Sequence, residues 1–456
     1  MSRQKFLDRR KEMEFLENRY SSGRAEFLII YGRRRIGKTE LLLHFAKDKA
    51  HVYFLATERP YRENIRELQK LLAEFLGDEL FGKIAFEDID ELLMTFADRA
   101  GDERIVLIID EFPLLIEQYR PVLSLLQKAW DLEISKTKLM LILCGSSVSA
   151  METDVMGYKS PLYGRRTGQW RIDEIPFFHI GEFLPGYSPE DLVKTYGVLG
   201  GVPAYLLQFE PEKSFDENVV GNVLSKGSFL YEEAEILMRE ELREPANYFA
   251  ILEAVAGGRS RFGEIVNATG LDKSLVSKYL TVLQRLGIVE RNVPVTATRS
   301  KRGLYSIADS YFAFWFRYVL PNKSYLEAGL AEEVWERSRE DFNTYMGGVF
   351  EKLVRKPEVF MKLTDFRFTR IGRWWYKGEE IDLVALNERE KKALFVEVKW
   401  RALKEREARR ILKDLERKAE LVGLDGWEKH YGIVAKEIEG KEELRLAWDL
   451  KDFKKN

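Results

Sequence analysis

The sequence predicts a multidomain α/β protein, and three observations carry that prediction. Between positions 26 and 145, near-continuous apolar runs alternate with stretches of helical periodicity. Between about 188 and 309 the chain reads as helices followed by two short strands around a basic turn. From Phe342 onward a second alternation of helix and strand begins. At 456 residues the chain is too long for one ordinary core, since a domain holds roughly 100–200 residues.

Residues 1–20 read as a short amphipathic helix. EFLIIY (26–31), HVYFLA (51–56), RIVLIID (104–110) and KLMLILCG (138–145) are apolar throughout rather than alternating, the pattern of strands buried on both faces. Helices at 39–48, 62–76, 89–100 and 122–132 separate them, so a parallel sheet covered on both sides is expected. Residues 188–243 read as all helical. The expected domains are a core at 1–175, a helical lid at 176–245, a winged helix at 246–325 and a C-terminal α/β domain at 326–456.

The clearest chemical signal is GRRRIGKT, which is Gly32, Arg33, Arg34, Arg35, Ile36, Gly37, Lys38 and Thr39, followed by Glu40. It leaves a predicted strand and opens a predicted helix, the context that separates a phosphate-binding P-loop from a chance match. The glycines let the backbone close around phosphate, and its N–H groups and the helix N-terminus face the anion. Lys38 is expected to reach the β- and γ-phosphates of ATP, and Thr39 to hold Mg²⁺. Asp110, at the end of an apolar strand, is the expected Mg²⁺ partner, and Glu111 is placed to orient or deprotonate the attacking water. Ser146, after the next strand, either senses the γ-phosphate or is a strand-end turn serine. Arg165 and Arg166, in the Gly-flanked PLYGRRTG, are either arginine fingers, acting in cis or from a neighbouring subunit of a homo-oligomer, or a solvated loop pair.

FLDR (6–9), YGRRRIGKT, LIIDEF (107–112), LILCGSS, SPLYGRRTGQ and LGGVPAYL (199–206) together resemble the archaeal P-loop ATPases grouped with the STAND branch of AAA+-type NTPases. The resemblance covers essentially the whole chain. It implies nucleotide-dependent switching, and it puts Pro203 beside the adenine, with Gly200 and Gly201 permitting the turn. Without the resemblance, GGVP reads as a helix-breaking turn.

Net charge is −2, so any affinity for nucleic acid must come from a local patch. The middle of the chain offers one. Helices at 248–256 and 261–269 precede a third at 273–286, capped by Asp272, and then VPVTATRSKRGLYSIAD forms a turn with a basic tip: the winged-helix pattern. Leu275, Tyr279, Leu280, Leu283 and Leu286 make the expected apolar stripe of the third helix. Lys273, Ser274, Ser277 and Lys278 lie off it, and Arg291, Arg299, Lys301 and Arg302 fall on the wing. Either this face meets DNA or the module packs internally.

The C-terminal element order reads helix, three strands, helix, strand. That order resembles the core of the PD-(D/E)xK nuclease superfamily, with Asp382, Glu397 and Lys399 at its active-site positions and Glu351 on the preceding helix. Glu397 and Lys399 are two apart on one strand, so they share a face and Val398 faces the other way. With Asp382 they would suit a second Mg²⁺ or Mn²⁺, Lys399 stabilising developing negative charge. The alternative is a structural salt bridge. Trp374 and Trp375 either stack on bases or belong to the core.

The single cysteine, Cys144, excludes an internal disulfide and reads as a small core residue. The N-terminus lacks the apolar segment of a signal peptide. The aromatic run YFAFWFRYVL (311–320) is broken by Arg317 and is half the roughly 20 residues a membrane span needs. The expectation is a cytoplasmic ATPase that uses ATP and Mg²⁺ and acts as a switch or motor on DNA, with no membrane partner. A second expectation, of another class, is an ATP-regulated scaffold whose C-terminal modules only bind partners.

Overall fold

The computed structural model describes residues 7–242, 244–297 and 303–453. The chain divides into two compact units, residues 1–174 and 175–456.

In the first unit five strands form one parallel sheet: β1 (Glu26–Tyr31), β2 (His51–Leu55), β3 (Val106–Asp110), β4 (Met140–Gly145) and β5 (Gly168–Arg171), in the order β2-β3-β4-β1-β5. Alternate residues of the central strands feed two separate apolar layers. Phe27, Ile29, Leu107, Ile109, Leu141 and Leu143 pack on one face, and Leu28, Ile30, Ile108, Ile142 and Cys144 on the other. That double burial is why the strands are apolar throughout. Cys144 is fully buried, and burial raises its thiol pKa. β5 is absent from the sequence reading. Its four residues, GQWR, are only half-buried and follow a turn-rich loop, so they carry no continuous apolar run.

The second unit begins with helices Phe177–Ile180, Pro189–Leu199, Pro203–Leu206, Phe215–Val219 and Phe229–Glu241. Helices Pro245–Ala256, Phe262–Thr269 and Lys273–Arg285 follow, then an antiparallel pair, β6 (Val289–Asn292) and β7 (Leu304–Ile307). The third of these helices corrects the predicted stripe. Val276, Tyr279, Leu280 and Leu283 are buried, whereas Leu275 is 36% exposed. Val276 has the i, i+4 and i+7 spacing with Leu280 and Leu283 that defines the inward face, and Leu275 falls a third of a turn away. Asp272 occupies the cap position, but its side chain makes no capping hydrogen bond.

A 24-residue helix, Ala331–Val354, leads into a second sheet. Its strands are β8 (Arg370–Tyr376), β9 (Glu379–Asn387), β10 (Lys392–Leu403), β11 (Glu428–Ile438) and β12 (Ala447–Trp448), in the order β12-β11-β10-β9-β8. β8, β9 and β10 pair antiparallel, and β10, β11 and β12 pair parallel. The helix between β10 and β11, Glu405–Glu420, starts only after the ladder Ala402↔Glu437 and Leu403↔Ile438, which prolongs β10. Trp374 is core, packed with Val295, Ile381 and Leu415.

The segment after β6 docks on the edge strand β8. The Val295 N–H donates to the Arg373 carbonyl (2.8 Å), Arg370 Nη2 donates to the Ala297 carbonyl (3.2 Å), and Val295 is buried against the sheet. Lys352 donates to the Ile307 carbonyl (2.5 Å) and faces Glu290 (3.6 Å), which fixes the long helix to the base of the wing. The predicted tip residues Arg299, Lys301 and Arg302 lie outside the described residues. Among the described residues no helix is long and apolar enough to cross a membrane.

Candidate functional site

The nucleotide-site residues gather where β1, β3 and β4 end. Gly37 carries φ +82° and caps helix Lys38–Ala46, a conformation that favours glycine and turns the loop into the helix. Lys38 is buried, and its Nζ donates across the loop to the Arg33 carbonyl (2.9 Å). Thr39 Oγ1 donates to Asp110 Oδ2 (2.7 Å), joining the loop to the end of β3. This meeting depends on strand order: β4 alone separates β1 from β3, and it places Ser146 between them.

Glu111 stands in the left-handed region at φ +50°, strained for a non-glycine residue and held as the cap of helix Phe112–Gln118. Its Oε2 accepts from Ser146 Oγ (2.8 Å) and N–H (3.3 Å). Ser146 therefore bonds to the predicted base. Arg33 Nη1 faces Glu174 (3.4 Å), Arg34 and Arg35 are exposed with Arg35 at φ +69°, Ile36 is buried, and Glu40 is exposed in the first helical turn.

Two contributors were not predicted. Tyr53 OH donates to Asp110 Oδ2 (3.0 Å), so this carboxylate also accepts from Thr39 and from the Glu111 N–H (2.9 Å). Burial, then the Asp110 charge, raise the Tyr53 pKa. Arg9 is buried, and it donates to the Ile36 carbonyl (2.8 Å) and the Asp173 carbonyl (2.9 Å), so it braces the loop. The FLDR motif flagged Arg9, but only the fold reveals what it holds. For Tyr53 no local signal exists, since it sits within an apolar strand.

Arg165 and Arg166 stand apart from the gathered residues. They precede β5 at the edge where the parallel strands begin, with Gly168 opposite Leu28, whereas the phosphate loop leaves the edge where they end. Arg165 is held by Asp131, through Nε (3.0 Å) and Nη2 (2.9 Å). Arg166 stacks over the Tyr163 ring at 5.8 Å. The backbone of this pair stands at the sheet edge away from the phosphate loop of its own chain. Pro203 belongs to the second unit, where it opens helix Pro203–Leu206. There Gly201 lies directly on the Ile175 carbonyl, and a Cβ would collide with it.

In the C-terminal sheet Asp382 and Glu397 are each 4% exposed and converge from neighbouring strands. Lys399 Nζ donates to Glu397 Oε2 (2.6 Å) and Asp382 Oδ2 (3.0 Å), and Lys418 Nζ donates to Glu397 Oε1 (3.1 Å). Val398 faces the opposite core, as its position between them requires. Burial works against the Lys399 charge, but Asp382 and Glu397 outweigh it and raise the ammonium. Burial, then Asp382, push the Glu351 carboxyl up to about 7, and Arg373 faces it at 3.8 Å. Among the described residues no three His, Cys, Asp or Glu side chains form a metal-holding group. The Lys399 ammonium bridges the Asp382 and Glu397 carboxylates.

Comparison with known proteins fits this geometry. An "ATPase domain predominantly from Archaea" matches residues 6–209. An uncharacterized protein of Methanocaldococcus jannaschii is 42% identical over 453 residues, covering 98% of this chain and 100% of its own. The chain belongs to this family of archaeal P-loop ATPases. An uncharacterized ATP-binding protein of the same organism is 46% identical over 44 residues, covering 10% of the ATPase and 75% of its own length. The Walker-type ATPase of Pyrococcus abyssi shares the fold: TM-score 0.51, 21% identity, 69% of this chain and 97% of that one. An "IclR helix-turn-helix domain" matches residues 246–293 of the ATPase. Residues 315–411 match "Archaea bacterial proteins of unknown function", which lends the C-terminal sheet no activity.

Proposed function

We propose that this ATPase is an ATP-driven switch or motor that acts on DNA. The backbone from Gly32 to Gly37 cradles the phosphates, Lys38 reaches the β- and γ-phosphates, and Glu111 orients the attacking water. The observation that carries this is the Thr39–Asp110 hydrogen bond of 2.7 Å. It brings a hydroxyl and a carboxylate together beside the loop, the hard oxygen set that Mg²⁺ prefers. When bound, Mg²⁺ supplies charge neutralisation at the phosphates. Pro203 is assigned to the adenine. Arginine assistance, if Arg165 or Arg166 supplies it, comes from a neighbouring copy in a homo-oligomer.

The DNA part rests on the helix-turn-helix match and on the exposed face of Lys273, Ser274, Ser277 and Lys278. The ATPase part is tested by two variants. Lys38→Ala is expected to lose hydrolysis and weaken nucleotide binding. Glu111→Gln is expected to bind ATP normally but turn over about 100-fold more slowly or worse, because the cradle survives while the base is lost. Normal turnover by both, in a phosphate-release assay, sinks the assignment.

The C-terminal sheet supports two readings. Convergence of Asp382, Glu397 and Lys399 on one side favours a metal-dependent DNA nuclease site. Mutual neutralisation of the same three charges favours a scaffold that only binds partners. Plasmid cleavage by the full chain with Mg²⁺ or Mn²⁺ separates them.

A further inference from the structure

Helix Glu405–Glu420 buries Ala408, Leu415 and Ala419 against the C-terminal sheet. At 3.6 residues per turn, Arg406, Arg410, Lys413 and Arg417 all fall on the opposite side, within about 60° of one another. All four are exposed. Glu405, Glu407, Asp414 and Glu416 occupy its flanks, and Glu420, at the C-terminal end of the stripe, pairs with Lys429 (2.8 Å). Arg417 is neutralised by Glu379 (2.9 Å) and Asp414 (3.0 Å). Among the described residues Arg406, Arg410 and Lys413 make no ion pair, while the neighbouring Arg409 pairs with Glu405 (2.7 Å). Three un-neutralised cations at i, i+4 and i+7 repel one another and do nothing for the helix itself.

We propose that Arg406, Arg410 and Lys413 form a docking stripe for the phosphodiester backbone of DNA. The three span about 10 Å along the helix axis, at 1.5 Å per residue, and form discrete cationic points rather than a diffuse patch. A lipid surface does not suit them. A helix that lies in a membrane interface inserts its apolar face, and here that face is covered by the sheet. The stripe shares its helix with Lys418, which reaches Glu397 from another side of that helix. The inference rests on the reading that this chain acts on DNA, but not on the helix-turn-helix face or on any cleavage.

The test is the salt dependence of DNA binding by the full chain, measured with a mixed-sequence duplex and with a single strand. The variant Arg406→Gln/Arg410→Gln/Lys413→Gln keeps good helix formers at exposed positions, and circular dichroism together with an unchanged ATPase rate verifies its fold. Each lost contact flattens the log–log slope by about 0.9 on duplex or about 0.7 on single strands. Across a fourfold rise in salt the triple variant then loses about forty-fold less duplex affinity than the parent. A parallel variant, Lys273→Gln/Lys278→Gln, probes the helix-turn-helix face. A parent that binds DNA while the stripe variant keeps its full slope overturns the stripe alone. A parent that binds neither probe overturns the DNA reading and the stripe together. Binding to phosphatidylserine vesicles without binding to DNA overturns the stripe as a DNA surface.

Discussion

Tyr53 shows how one hydroxyl tunes a carboxylate. Asp110 accepts from Thr39, Tyr53 and its neighbour's N–H, so its orientation is fixed before any ion arrives. Removing the tyrosine hydroxyl loses a hydrogen bond to a charged group, about 1.5–3 kcal/mol. Tyr53→Phe is expected to raise the Mg²⁺ concentration for half-maximal ATPase activity by about tenfold or more and to leave the fold intact, checked by a Mg²⁺ titration. Glu351 gives a second prediction at this scale. Its pKa is raised from 4.5 to about 7. Below 4.5 the folded and unfolded chains both hold the proton; between 4.5 and 7 only the folded chain does. Stability therefore falls as pH rises through that window, by up to about 3 kcal/mol, and levels off above it. Glu351→Gln removes this part of the slope, measured by urea midpoints from pH 4.5 to 7.5. Loop residues Gly32 to Thr39 and Asp110–Glu111 were legible as motifs because the first stands between an apolar strand and a helix and the second ends an apolar strand. Tyr53 and Arg9 were not, because their roles exist only once distant segments meet.

At the scale of elements, the third helix of the helix-turn-helix shows what periodicity fixes and what it leaves open. Leucine content pointed to Leu275, but the inward face runs through Val276, Leu280 and Leu283. Leu280→Ala is expected to cost about 2–5 kcal/mol by leaving a cavity, and Leu275→Ala to stay within about 0.5 kcal/mol, because it is a surface change. Thermal melts of the two variants distinguish the faces. The first-unit strands β1 to β4 were readable because each is buried on both sides. β5 was not, since its residues are half-buried at a sheet edge. The same edge accounts for where Arg165 and Arg166 stand: in a parallel sheet, a loop that returns to start a strand delivers its last residues to the end away from the phosphate loop.

At the scale of the molecule, the phosphate loop and the Asp382–Glu397–Lys399 cluster belong to different units. If the C-terminal site cleaves DNA, Asp382→Ala and Lys399→Ala each abolish cleavage while the ATPase rate stays at the parent's value. Parallel loss of both activities contradicts separate sites. The α/β character of both sheets was legible from their runs of strand and helix. The seating of the wing on β8 was not, because Val295 and Ala297 lie in a short segment whose partner strand is more than 70 residues away. That seating has a consequence for how the molecule behaves in a crowd. β8 ends its sheet, and an open sheet edge is a template on which other chains add strands and aggregate. The segment Val295–Ala297 acts as a stopper on that edge. Whatever draws the wing away uncorks it, so the residues that hold the wing down also keep copies of this protein from sticking to one another.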